Sequence, residues 1–465
     1  MAFWKSLSGI LNPITLREFN GINKSDIFSL PESQATALKN IASYGYPALK
    51  VRPGFSNQGA IFGGAIVGLG AWKDAELHAI GGGEWKKWTG SAWSSLVSGL
   101  SATAQWSFCN FKGNFAGINL LGVNGEVVRK YDGTSVTALA NCPAGARYID
   151  AHDNRVYVAV DYSVKYSALR KAEDWTTVDD AGEIAVETSF GENISGLKAG
   201  PGHVAVFLPH AMFELYGTGP LNYKLVPVSD KIGCVSNNSA LMVGGVLYFL
   251  GHDGIYQYTG GVMPDKTFAL PVQWYVDNLN QANRHKACAG TDGRRYYLAL
   301  PVGAATEPGH VLEFDPMFKT WYVWELGCNP RAFAFMAEKW YLGDSGGQVR
   351  QMGGTTDAGA AISWEWISKP FGETSLAQPK QWFRLWIVCS LPAGSTMNVY
   401  LSKKAEGEEW TLVKSLTAAS DIQNAKVIIP VETVANANYV RVKFSGTGPA
   451  TIYEMTRQER LMPFV

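Results

Sequence analysis

Apolar stretches along this chain are short, and glycine, aspartate or asparagine breaks them at close intervals. One unit recurs, an apolar-x-x-Tyr/Trp stretch ending in a glycine turn. Glu84–Gly90 and Glu126–Gly133 are its clearest copies, and Ser163–Tyr166, Phe213–Gly217, Ile255–Gly260, Val311–Asp315 and Gln348–Gly353 are looser ones. The copies lie roughly forty residues apart, the period of a four-stranded propeller blade. Between them, Asp153-Asn154, Gly244-Gly245, Asp292-Gly293 and Glu338-Lys339 read as hairpin turns ahead of apolar strands. Val246 to Leu250 is apolar on both faces, as a strand sandwiched between neighbouring blades must be. The pattern predicts an all-β chain with a β-propeller of six or seven blades over residues 57–357.

The flanks read differently. Residues 1–56 form an N-terminal arm, in which Ser29-Leu30-Pro31-Glu32 has the spacing of a capping box and predicts a short helix through Ala35, Ala37 and Leu38. In residues 358–465, apolar strands such as Ile362–Trp366, Trp382–Cys389, Met397–Leu401 and Tyr439–Phe444 come at irregular spacing. Alternation in Tyr439-Val440-Arg441-Val442-Lys443-Phe444 predicts one buried and one solvated face, hence a separate jelly-roll-like β-sandwich. Thr456–Val465 has no evident partner in its own domain and is expected to pack on a neighbouring subunit.

Composition agrees with short strands and tight turns, since aromatic residues make up 12% of the chain and charged residues only 17%. Lys plus Arg equals Asp plus Glu, 40 each, so no global basic field draws the protein to nucleic acid. The six cysteines show no metal or CxxC spacing, and reduced thiols are expected. Met1–Asn12 is read as too short for a secretory signal, and no apolar stretch reaches the roughly 18 residues of a membrane span. A protein made in a reducing cytoplasm is the expectation.

No constellation of catalytic residues emerges. The seven histidines lack HExxH or HxH spacing, and no GxSxG elbow, Walker A loop or Rossmann fingerprint occurs. Gly81-Gly82-Gly83 runs into another strand, where a phosphate loop needs a helix. Glu173-Asp174 and Asp179-Asp180 are the densest acidic pairs, and they read as turns, not as a glycosidase pair. His152-Asp153 and His252-Asp253 likewise read as turns between strands. The sixteen tryptophans invite a sugar-stacking role, but several, including Trp88, Trp93, Trp175 and Trp321, sit at or near blade-closing positions and read as packing. No catalytic, cofactor-binding or metal-binding residue is assigned.

Three segments of the arm carry a resemblance. Phe19-Asn20-Gly21-Ile22-Asn23, then Leu30-Pro31-Glu32-Ser33-Gln34-Ala35 leading to Asn40, then Lys50-Val51-Arg52-Pro53-Gly54-Phe55 resemble the opening of the tail nozzle, or packaged-DNA stabilisation, proteins of short-tailed bacteriophages. Tyr46-Pro47-Ala48-Leu49 departs from the tightest versions of that opening. The resemblance implies a virion protein of the tail, assembled in the bacterial host cytoplasm into a ring, usually hexameric. It further implies portal and adaptor proteins above, a needle, fibre or tip protein below, and genomic double-stranded DNA passing through without sequence recognition. Zero net charge is compatible with DNA slipping past, because each phosphate contact would slow passage. Arg52 and Phe55 are the expected interaction residues, a hinge from the arm into the ring, and the bland alternative is a turn that starts the first blade. Two other readings stay open: a virion receptor-binding module recognising host-surface glycans, and a propeller carbohydrate-active enzyme.

Overall fold

A computed structural model describes residues 13–189, 191–372 and 375–462. The chain divides into two compact units. One comprises residues 56–319 and 325–352; the other joins the described residues up to Phe55 with Thr320–Trp324 and those from Gly353 onward.

The first unit is a propeller of seven sheets in chain order. Blade 1 has strands Ile66–Trp72, Glu76–Gly81, Glu84–Trp88 and Trp93–Val97; blade 2 has Ser107–Phe111, Asn119–Val123, Arg129–Tyr131 and Val136–Ala138. Blade 3 has Tyr148–His152, Arg155–Val160, Ser163–Tyr166 and Gly182–Ala185, and blade 4 has Gly196–Gly200, His203–Phe207, Met212–Tyr216 and Lys224–Ser229. Blade 5 contains Leu241–Val243, Val246–Leu250 and Ile255–Tyr258, blade 6 Cys288–Thr291, Tyr296–Leu300 and His310–Asp315, and blade 7 Pro330–Met336, Lys339–Asp344 and Val349–Met352. All seven copies of the recurring unit fall on the third of these strands, so the count is seven blades. Apolar faces of successive blades bury one another, as where Leu121, Val123 and Val128 of blade 2 meet Ile149, Val156 and Val158 of blade 3. The circle closes where Ile66, Leu69, Leu77 and Ala79 of blade 1 pack on Ala332, Met336, Tyr341 and Val349 of blade 7. The backbone N–H of Gln58 donates to Val349 O at 2.8 Å, so the start of this unit is hydrogen-bonded to its last strand.

The hairpin turns follow the residues that tolerate positive φ. Gly244 and Gly245 have φ of 58° and 83°, and Asp153 and Asn154 have 44° and 61°. The expected turn at Glu338-Lys339 lies one residue earlier, at Ala337 and Glu338 with φ of 48° and 59°, because Met336 pairs with Lys339.

The second unit is a β-sandwich of two sheets. One runs Ile41–Gly45, Ala48–Val51, Thr451–Leu461, Lys380–Leu391, Ile422–Ile429, with Ile14–Leu16 added to Thr451–Leu461. The other runs Ala35–Lys39, Ser363–Ser368, Arg441–Thr447, Thr396–Ser402, Thr411–Thr417. Alternate residues are buried, among them Leu385, Ile387 and Cys389 in the first sheet and Trp364, Trp366, Val399 and Phe444 in the second.

Three expectations are corrected here. The short helix does not form; Ala35–Lys39 is a strand paired with Ser363–Ser368. Glu32, expected to cap that helix, instead pairs with Arg457 through two bonds of 2.7 and 2.9 Å. Residues 14–51 are not a free arm, since they supply strands to both sheets of the sandwich. Nor is the C-terminal segment without a partner: Thr451–Leu461 pairs with Lys380–Leu391 from Ser390↔Thr451 to Lys380↔Leu461. Residues 463–465 lie outside the described residues.

Candidate functional site

Arg52 and Phe55 are both buried, 2% and 5% exposed. The Arg52 guanidinium donates to both oxygens of Asp357 at 2.9 and 2.6 Å, to Asn40 Oδ1 at 2.8 Å and to its neighbour Pro53 O at 2.9 Å. It also lies 5.6 Å from the centre of the Trp324 ring. The Phe55 carbonyl accepts from Ala358 N at 2.7 Å. Both residues are engaged inside the sandwich unit, and neither presents its side chain as an exposed contact.

The rest of the resembling segments has the same character. A Cβ on Gly21, where φ is +76°, would lie 2.3 Å from Trp321 O, and one on Gly54 would lie 2.0 Å from Thr356 O. Only glycine admits these backbone approaches. Phe19 is buried edge-on to Trp366 at 5.7 Å. Asn40 adopts φ 59° and donates from Nδ2 to Ser363 O at 2.8 Å while its Oδ1 receives Arg52.

In the propeller the ionisable residues are mostly spent on one another. Glu173 pairs with Lys130 at 2.6 Å, Asp180 with Arg155 at 2.7 Å, and Asp174 accepts from Thr177 Oγ1 at 2.6 Å. Glu173 thus ties blade 3 to Lys130 of blade 2, while Asp174 and Asp180 brace blade 3 itself. His78 has no exposed side-chain surface. Its Nδ1 accepts from the Trp85 indole at 2.9 Å, which leaves Nε2–H to donate to Glu76 at 3.0 Å, and burial lowers its pKa to about 4. His203 faces the buried Glu214 at 3.3 Å, and Glu214 also accepts from Tyr216 at 2.7 Å. Among the described residues no group of three or more His, Cys, Asp or Glu is arranged to hold a metal ion.

Two concave places stand out, one in each unit. In the sandwich unit a mainly apolar groove of about 700 Å3 is lined by Tyr44, Lys50, Pro53, Pro392, Pro449 and Thr451, among others. In the propeller a smaller cavity of about 140 Å3 is walled by residues from six of the seven blades, among them Leu69, Phe108, Lys198, Asn237, Ala289 and Phe333. Residues from six blades can meet in this way only near the axis. Its polar wall comes from Lys198 and from the Asn237–Ser239 turn that precedes the strands of blade 5. Sequence reading missed this place. The available signal was a lysine inside Gly196-Leu197-Lys198-Ala199-Gly200, a first strand otherwise made of small and apolar residues.

No family model matches this sequence, and no curated protein sequence does. Among solved structures the chain is similar to virginiamycin B lyase from Staphylococcus aureus, at 9% identity and a TM-score of 0.45 over 64% of this chain and 99% of that one. It is also similar to BamB from Moraxella catarrhalis, at 9% identity and a TM-score of 0.41 over 74% of this chain and 98% of that one. A third is the extracellular domain of a one-component system from B. thetaiotaomicron, at 10% identity and a TM-score of 0.47, where the match covers 88% of this chain and 60% of that one. Likeness at this level carries no functional argument.

Proposed function

We propose that this chain is a structural virion protein, a subunit of the bacteriophage tail nozzle ring that lies below portal and adaptor, extends the DNA channel and retains the packaged genome. The observation that carries the reading is the construction around the resembling segments. Asn40, Arg52 and Gly54 tie the first 55 residues to segments beyond residue 350, and Gly21 packs them on Trp321. A sequence signature that specifies an architecture, with no reactive group in it, suits a protein whose task is to hold shape between neighbours. The glycan-binding reading has less support, because among the described tryptophans only Trp274 is exposed, at 45%.

The test is the mass of the purified protein by light scattering, alone and mixed with the portal–adaptor complex of the same genome. Incorporation as a closed ring is the expected result. A protein that stays monomeric and ignores the complex would sink this reading and direct attention to glycan binding and then hydrolysis.

A further inference from the structure

We propose that the axial cavity of the propeller binds a small oxyanion of the size and charge of phosphate or sulfate, held by Lys198, Asn237 and Asn238. Three observations converge. First, Lys198 lines the cavity, has no ion-pair partner among the described residues, and meets no carboxylate in the cavity wall. The nearby acid, Asp150 of blade 3, already accepts from Ala151 N at 2.8 Å and Ala199 N at 2.9 Å, and it does not line the cavity.

Second, Asn237 is 5% exposed, and its Oδ1 accepts from Leu197 N at 3.0 Å. That bond fixes the amide orientation and leaves the Nδ2 donors unmatched by any group of the described protein. These donors are available to a ligand in the cavity. Asn238 lines the same wall, and its side chain too has no protein partner.

Third, no other polar group of the wall supplies a counter-charge, and Trp106, which also lines the cavity, has a buried indole N–H without a partner among the described residues. Ser107 Oγ donates to Ile149 O at 3.3 Å and Cys288 Sγ to Pro330 O at 3.5 Å. Burial pushes the Cys288 thiol up to about 12 and Cys234, which also feels Lys198, up to about 11, so neither supplies a counter-charge at neutral pH. A cation and amide donors in a confined space, facing no anion, are complementary to an oxyanion, whose bonds to charged donors are the strong kind. The volume of about 140 Å3 is ample for one such ion.

The test uses the full chain, titrated with sodium phosphate at constant ionic strength made up with sodium chloride. Binding is followed by calorimetry and by the unfolding temperature. The expected result is saturable binding that Lys198→Met weakens about tenfold or more, the loss of one charge-assisted bond. Lys198→Arg should restore it in part, and Asn238→Ala should weaken it while leaving the fold intact, which keeps the test meaningful should the methionine variant fold poorly. Crystals soaked in selenate should show anomalous signal between Lys198 and Asn237. A phosphate effect no different from that of chloride, equal binding by all four proteins, or only water in the cavity would each overturn the proposal.

Discussion

Gly244 in the propeller and Gly21 in the sandwich both sit at positive φ, 58° and 76°. A Cβ added to Gly244 would meet nothing within 4 Å, whereas one on Gly21 would run into the backbone oxygen of Trp321, 2.3 Å away. The first glycine serves its own hairpin. The second serves a contact between segments three hundred positions apart. The same contrast holds for whole regions. Blades 1 to 6 pair strands that follow one another in the chain, and blade 7 adds one remote strand, Phe55–Asn57 beside Val349–Met352, whereas the sandwich pairs Ile14 with Arg457 and Ala35 with Ser368. Ion pairs divide the same way: Arg155 finds Asp180 within its own blade, but Arg457 finds Glu32. The lesson is that a local fault in the propeller stays within one hairpin, while one in the sandwich separates the two ends of the chain.

The largest expected effect tests that contrast directly. Gly21→Ala and Gly54→Ala should each destabilise the sandwich by about 3 kcal/mol or more, since backbone cannot yield as a side chain does. Gly244→Ala should lower stability by only about 1 kcal/mol. Hydrogen exchange resolved by peptide is the measurement. Loss of protection across both Ala35–Lys39 and Ser363–Ser368 in the Gly21 variant, against a change confined to blade 5 in the Gly244 variant, is the expected pattern. Equal effects would break the comparison.

Next in size, Arg52→Met should be destabilising by about 3 kcal/mol, because it leaves Asp357 and Asn40 without the guanidinium that joins them. Denaturant unfolding checks the magnitude. Partial recovery in an Arg52→Met, Asp357→Leu double variant would show that the stranded carboxylate, not lost packing, is the main cause.

A pH series sharpens the comparison from the propeller side. His78 is buried neutral, its pKa lowered from 6.5 to about 4 by desolvation. Above pH 6.5 neither state is protonated and the residue adds no slope. As pH falls from 6.5 towards 4 the unfolded chain takes up the proton first, so stability declines, by up to about 3 kcal/mol. His78→Gln should flatten that decline in urea midpoints measured between pH 7 and 4. An unchanged slope would assign the acid sensitivity to other groups.

Most of the propeller was legible in the residues. The third-strand aromatic and the hairpin turns are local signals, because the strands they organise are neighbours in the chain. The misreadings cluster where partners are remote. Ser29 to Glu32 has every local mark of a helix start, yet Glu32 is drawn to an arginine buried at the far end of the chain, and the following residues complete a sheet edge. Arg52 was expected as a hinge from the arm into the ring, and its side chain is buried as a tie to Asp357 and Asn40. Lys198 lies on blade 4 and Asn237 and Asn238 in the turn before blade 5, and they share no motif, so only the packing of these blades brings them to one cavity.

Hydrophobic alternation, turn residues and their period were therefore enough to set the all-β class, the repeat and the position of each blade, since these depend on contacts a few residues apart. Whether the repeats numbered six or seven, where the first 55 residues belong, and which polar groups face the axis were decided by tertiary packing. Those outcomes depend on burial shared between segments that approach only when the circle and the sandwich close, and burial of that kind leaves no period in the chain.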